Sequence, residues 1–230
     1  MRIKQVKDII QKPDMPVGRF ASWLHNIRKA LIEEKEVDVP CGECKACCTS
    51  SYFIHIKPKE TQTLARIPKE LLFAAPGLPK GNVLLGYDEN GHCPMFIDNN
   101  CSIYDHRPQT CRTFDCRIFS ATGLPVDDDK SLIAQQARRW KFDFPTTDDR
   151  KQFSAVQAAA KFLSEYAECF PDRFVPSNTT QQAILAIKVY TVFLNFTNEP
   201  EHIEPAAQNY KIAEAIIDAY EKFEVRVNDS

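Results

Sequence analysis

Eight cysteines stand between positions 41 and 116 of this chain, spaced Cys41-x2-Cys44-x2-Cys47-Cys48 and then Cys93, Cys101, Cys111 and Cys116; a ninth, Cys169, stands alone. A hydrophobic core uses free thiols as scattered small apolar residues, so this bunching needs another cause. Two cysteines separated by two residues in a turn direct both sulfurs at one metal, the spacing of zinc and iron–sulfur sites. Adjacent Cys47 and Cys48 differ, because neighbouring side chains diverge; they would serve two metals, or one would be spare. Eight thiols also divide into two sets of four. A tetrathiolate zinc, or a tetrathiolate [4Fe–4S] in its 2+ state, carries a net −2. Lys45, Arg107, Arg112 and Arg117 are placed in sequence to neutralise part of that charge.

Disulfides are the competing explanation, with 105 pairings open to eight cysteines. The segment Met1–Asp8 lacks the apolar stretch of a secretory signal, and no apolar run approaches the roughly 20 residues of a membrane span. The expectation is therefore a cytoplasmic, reducing setting, where structural disulfides are rare. With 29 basic against 31 acidic residues, a net charge of −2 and a pI near 6.2, the chain has no excess charge for general nucleic-acid binding. Its 43% hydrophobic content supports a full buried core. The metal reading is the one the residues favour.

Cys41-x2-Cys44-x2-Cys47 with a remote Cys93-Pro94 is similar to the ferredoxin run, in which the last cysteine precedes proline. Zinc sites more often answer one C-x2-C pair with a second pair or with a histidine pair. Here the distal spacings are 7, 9 and 4 intervening residues and no histidine pair exists. The balance tips to an iron–sulfur cluster over zinc, in one or two sites. His92 and His106 adjoin ligand cysteines but read as surface histidines, and His25, His55 and His202 carry no partner pattern. Asp105 and Asp115 read as ion-pair partners of nearby arginines, Arg138, Arg139 and Lys141 as a solvated face, Cys169 as a buried thiol, and Trp23 and Trp140 as core.

Organisation along the chain predicts a mainly α protein with a small irregular α+β cysteine-rich lobe and a C-terminal, bundle-like helical lobe. We divide it into an N-terminal arm and helix (1–37), a cysteine-cluster metal-binding domain (38–125) and a helical region packed on it (126–230). Residues 1–18 read as an irregular arm after a short helix. Phe20, Trp23, Leu24, Ile27 and Leu31 mark a helix to about Glu36, stopped by Pro40. Tyr52–Ile56 reads as a strand, Pro58 opens a helix through Arg66, and Val83–Tyr87 with Cys93–Ile97 read as a hairpin around Asp88–Gly91. A turn at Asp98–Asn100 follows, and Pro108 starts a short helix holding Cys111. Further helices are expected at 129–141, after an Asp149/Gln152 capping pair with the stripe Phe153 to Phe170, after Thr179/Gln182 to Phe196, and at 203–223 with Ala206, Tyr210, Ala213, Ile217 and Tyr220 on one face.

The Cys-x2-Cys-x2-Cys-Cys run, followed by Cys101-Ser-Ile-Tyr104-Asp-His-Arg107-Pro108-x2-Cys111-Arg112 and Cys116, closely resembles the CxxCxxCC (YkgJ-like) zinc- or iron-chelating family over residues 38–118. The resemblance implies that the eight clustered cysteines chelate metal. Distant relatives include the flagellin lysine N-methylase, which makes an S-adenosylmethionine-dependent protein-lysine methylase acting on a protein substrate the alternative function. None of the glycines has the G-x-G spacing of a Rossmann-type cofactor loop, and residues after 125 match no motif of that enzyme. A zinc-ribbon nucleic-acid binder, the third reading, needs a basic face that the net charge does not supply.

Overall fold

Phe20, Trp23, Leu24 and Ile27 recur at helical spacing, and all four are buried on α1 (Phe20–Glu33). The computed structural model describes residues 13–126, 131–195 and 205–228; the short helix expected near the N-terminus, His202 and the expected helix start at 129 lie outside them. Helix α1 stops before Glu36 because Glu34 turns left-handed (φ 49°) and its N–H closes on the Ala30 carbonyl. The arm before α1 is not irregular: β1 (Met15–Arg19) lies parallel to β7 (Trp140–Asp143), Met15 opposite Trp140 and Arg19 opposite Asp143. The pairing slips between Pro16 and Gly18, which suits a strand whose proline has no N–H to give. The helix expected to reach 141 accordingly ends as α5 (Ser131–Arg139), with Trp140 beginning the strand.

In the cysteine region the elements are short. β4 (Val83–Leu85) is the middle strand between β2 (Ile54–Ile56) and β3 (Leu72–Ala74), both antiparallel to it, and α2 (Thr61–Leu64) lies between β2 and β3 in sequence. The expected hairpin of 83–87 with 93–97 is therefore corrected. The Asp88–Gly91 turn does form, its Gly91 N–H on the Asp88 carbonyl at 2.9 Å, but β5 (Phe96–Ile97) pairs instead with β6 (Asn100–Cys101). Asp98 and Asn99 between them both take positive φ, as a two-residue hairpin turn requires. Two short helices follow, α3 (Gln109–Thr113) after Pro108 and α4 (Arg117–Thr122), ended by Gly123 at φ 72°.

The C-terminal half is helical: α6 (Thr147–Glu165), α7 (Thr179–Val189), α8 (Thr191–Asn195) and α9 (Pro205–Asn228). The cap of α6 is Thr146 with Asp149 in a reciprocal capping box, not Asp149 with Gln152, and the helix ends before Ala167 and Phe170. Asn178, not Thr179, caps α7 through the Gln181 N–H. On α9 the buried stripe is Ile212, Ala213, Ile216 and Phe223, and Tyr210 points to solvent. Cys169 is half-buried on a 3-10 turn rather than enclosed on a helix.

Among the described residues, three groups of buried side chains result. The largest joins α1, Cys116, α4, α5, Trp140, Val156 of α6 and Ala183 and Ile187 of α7. A second binds α6, α7 and α9 to Phe170. The third, Ile56, Ile67, Leu85, Met95 and Ile103, is confined to the small sheet region. No helix among the described residues is long and apolar enough to cross a membrane.

Candidate metal centre

Cys41 and Cys44 bracket a tight turn in which the Cys44 N–H returns to the Cys41 carbonyl at 3.0 Å, with Gly42 at φ 55°. Cys47 and Cys48 follow on one 3-10 turn, Ala46–Thr49, fastened by the Ser50 hydroxyl on the Ala46 carbonyl (2.6 Å). The Cys93 N–H donates to the Cys48 carbonyl at 2.8 Å and brings the two segments together. Further along the same two segments, the Ser51 N–H donates to the Gly91 carbonyl at 2.8 Å. Gly91 is at φ 78°, and a Cβ there would collide with the Ser51 hydroxyl, so this junction needs glycine.

Cys101 is carried on β6 opposite Phe96, whose N–H reaches back to the Cys93 carbonyl at 2.8 Å. Cys111 rides on α3, which docks on the sheet region: the Gln109 N–H donates to Glu60 (2.6 Å) and the Thr110 hydroxyl to the His55 carbonyl (2.6 Å). Cys116 stands at the N-cap position of α4, where it is buried, and its Sγ accepts the Trp140 indole N–H at 3.2 Å. Beside it Asp115, 2% exposed, accepts from the Trp23 indole (2.9 Å) and from Arg117 Nε (2.8 Å). Arg117 also donates to the Asp38 carbonyl at 2.9 Å, tying the approach to Cys41 down onto α4.

All nine cysteines are free thiols. The sulfurs that act electrostatically on one another fall into two neighbourhoods. Cys41 feels Cys44; Cys47 feels Cys116, Cys41 and Cys44; Cys116 feels Cys41 and Cys44. Cys48 feels Cys93 and Cys101; Cys93 feels Cys101; Cys111 feels Cys93, Cys48 and Cys101. The neighbourhoods touch where Cys48 meets Cys47 and Cys44. Burial is the first cause pushing Cys41, Cys48, Cys93 and Cys116 up, Cys48 to about 11 and Cys116 to about 12, the latter against the lowering effect of the Trp140 hydrogen bond. Cys47 and Cys111 keep solvent contact as residues, yet protein crowds them enough that desolvation again leads the upward shift. Among the described residues no three His, Cys, Asp or Glu side chains close tightly enough on one point to hold an ion as they stand. The thiols are gathered in two groups without being drawn onto two points.

Three of the four cationic groups expected as counter-charges act on thiols, Arg117 lowering Cys41, Lys45 lowering Cys48 and Arg107 lowering Cys111. Arg107 and Arg112 also approach Glu36 at 3.7 and 3.5 Å. Sequence reasoning placed Trp23 and Trp140 in the core, where they are, but missed what their indole N–H groups do. Nothing in a lone tryptophan announces a sulfur partner 24 residues away. His92 packs edge-on to Phe96 and His55 meets Asn82 at 2.8 Å, so neither needs a metal to explain it. Cys169 packs with Phe170 and the α9 helix, apart from the other thiols.

Residues 40–138 match the model of the CxxCxxCC family, described as "Putative zinc- or iron-chelating domain", the family suggested by the cysteine spacings. The matched segment extends through α4 and most of α5, the elements that enclose Cys116. No solved structure matches the chain.

Proposed function

From the match of residues 40–138 to the CxxCxxCC family model, we propose that this protein binds iron, as an iron–sulfur cluster, or zinc, through Cys41, Cys44, Cys47, Cys48, Cys93, Cys101, Cys111 and Cys116. The observation that carries the reading is the gathering into two neighbourhoods of thiols from a turn, a 3-10 segment, a hairpin and two short helices, with cationic groups beside them. The donor chemistry fits: soft thiolates suit zinc and iron–sulfur clusters alike, and four of them satisfy a tetrahedral ion or a cubane. A metal bound here would supply either a structural cross-link or a one-electron redox couple. The chain's own part is to hold the thiolates, offset excess negative charge through Arg117, Lys45 and Arg107, and direct the Trp140 N–H at Cys116. The domain division at 37/38 and 125/126 belongs to the same proposal, with the helical region acting as the wall against which the cysteine region is held.

Purification without oxygen, followed by iron, zinc and acid-labile sulfide analysis, tests this. A brown protein absorbing near ~400 nm with iron and sulfide supports the cluster. A colourless protein with stoichiometric zinc keeps metal binding and overturns the iron preference. Neither metal retained, and none taken up on reconstitution, refutes the reading.

A further inference from the structure

Resting on the metal-binding reading, we propose that the eight thiols form two separate four-cysteine centres: Cys41, Cys44, Cys47 and Cys116 against the main core, and Cys48, Cys93, Cys101 and Cys111 in the small sheet region. The 3-10 turn at Ala46–Thr49 gives one thiol to each. With three residues per turn, successive side chains leave such a segment about 120° apart, so Cys47 and Cys48 cannot address one point without distortion.

Packing separates four of the remaining six in the same way. Cys116 belongs to the largest buried cluster and Cys44 packs against it, whereas Cys93 and Cys101 pack against Ile56, Leu85, Met95 and Ile103. Backbone bonds repeat the division: Cys44 to Cys41 in the first group, Cys93 to Cys48 and Phe96 to Cys93 in the second. Each group has its own fastening. Arg117 bridges Asp115 and the Asp38 carbonyl beside the first. The docking of α3 through Glu60 and the His55 carbonyl holds Cys111 to the second. Because Cys47 and Cys48 are consecutive, with Cα atoms 3.8 Å apart, two metals ligated by them lie within about 13 Å of each other.

The test uses the full chain, reduced and metal-free, loaded with Zn(II) under anaerobic conditions. Bound zinc is counted, and unprotected thiols are alkylated and mapped by peptide mass. Wild type should bind two zinc ions per chain. Cys41→Ser should bind half as much, with Cys48, Cys93, Cys101 and Cys111 protected and Cys44, Cys47 and Cys116 labelled. Cys101→Ser should give the mirror pattern. Cys41→Ser/Cys44→Ser should lose no more metal than Cys41→Ser, while Cys41→Ser/Cys101→Ser should lose it all. Cys44→Ser and Cys93→Ser replace the single variants if either does not fold, and protection of the other group is itself the sign of a folded chain. Loss of all protection from every single variant, or protection of Cys47 in Cys41→Ser, would overturn the pairing while leaving metal binding intact. Failure of wild type to bind zinc at all, together with the absence of iron above, would remove the reading on which the pairing rests.

Discussion

Asp115 and Arg117 set the conditions under which Cys116 is presented. Their side chains are 1% and 8% exposed, and the carboxylate uses both oxygens, one toward Trp23 and both toward the guanidinium. A buried pair of this kind contributes little against a well-packed apolar replacement, but removing one partner leaves an uncompensated charge. Arg117→Met should therefore destabilise the protein by about 3–5 kcal/mol, measured by urea unfolding, and Asp115→Asn/Arg117→Met should recover part of it. If the single variant unfolds at the wild-type midpoint, the pair is not holding the α4 start. The candidate group of eight cysteines stands out in the sequence because ligand spacing is a local pattern, whereas which buried clusters Cys44 and Cys93 touch is set by tertiary packing and has no local signal.

At the scale of elements, Asp149 serves two helix starts at once. It closes the capping box of α6 through Thr146 and also accepts the Ala21 N–H at 3.1 Å at the start of α1, whose own N-cap residue, Arg19, supplies no side-chain cap. Arg19 instead binds Asp149 at 2.8 Å. Burial alone would raise this carboxyl, but the bonds from Thr146, Arg19 and Ala21 outweigh it and hold it well below the carboxylate range. A depressed folded value means the contribution is present above the ordinary aspartate range and is lost only in strong acid. Thr146→Ala should cost about 1 kcal/mol, seen as a lowered urea midpoint with an unchanged slope. The long helices were legible from periodicity, as α1 shows. The β1–β7 pair was not, because a strand containing Pro13's neighbours Met15–Arg19 gains its partner from 125 residues away and carries no alternation of its own. The β4 pairing was misread for a related reason: a sound turn at Asp88–Gly91 does not fix which strands flank it, and Leu85 finds Ile54 and Leu72 instead.

Across the whole molecule, the three buried clusters differ in their dependence on the thiols. The small one around Ile56 and Leu85 has few members and short strands, so ligation would supply much of its stability. The α6–α7–α9 cluster contains none of the eight clustered cysteines. Chelation under reducing conditions should make amides of 50–115 exchange quickly while those of 159–163, 185–189 and 212–216 stay protected; collapse of both sets together would show a single cooperative unit. Metal removal should also create alkaline sensitivity. Thiols raised to about 11 and 12 in the folded chain titrate near 8.5 when unfolded, so their contribution is complete below that and is lost as pH rises toward the folded values. Thermal unfolding of the metal-free chain should thus fall in midpoint from pH 8 to 11, and a flat profile would contradict the burial of Cys48 and Cys116.

The largest cluster draws Cys116 together with Val156, Ala183 and Ile187, so it cannot close until α7 exists. On a ribosome adding about 5–20 residues per second, the last clustered thiol precedes Ile187 by roughly 70 residues, on the order of 4–14 s. Cys116 is thus uncovered while the chain is being made and is enclosed only once the C-terminal helices are finished, whereas Cys41, Cys44 and Cys47 keep solvent contact in the folded chain.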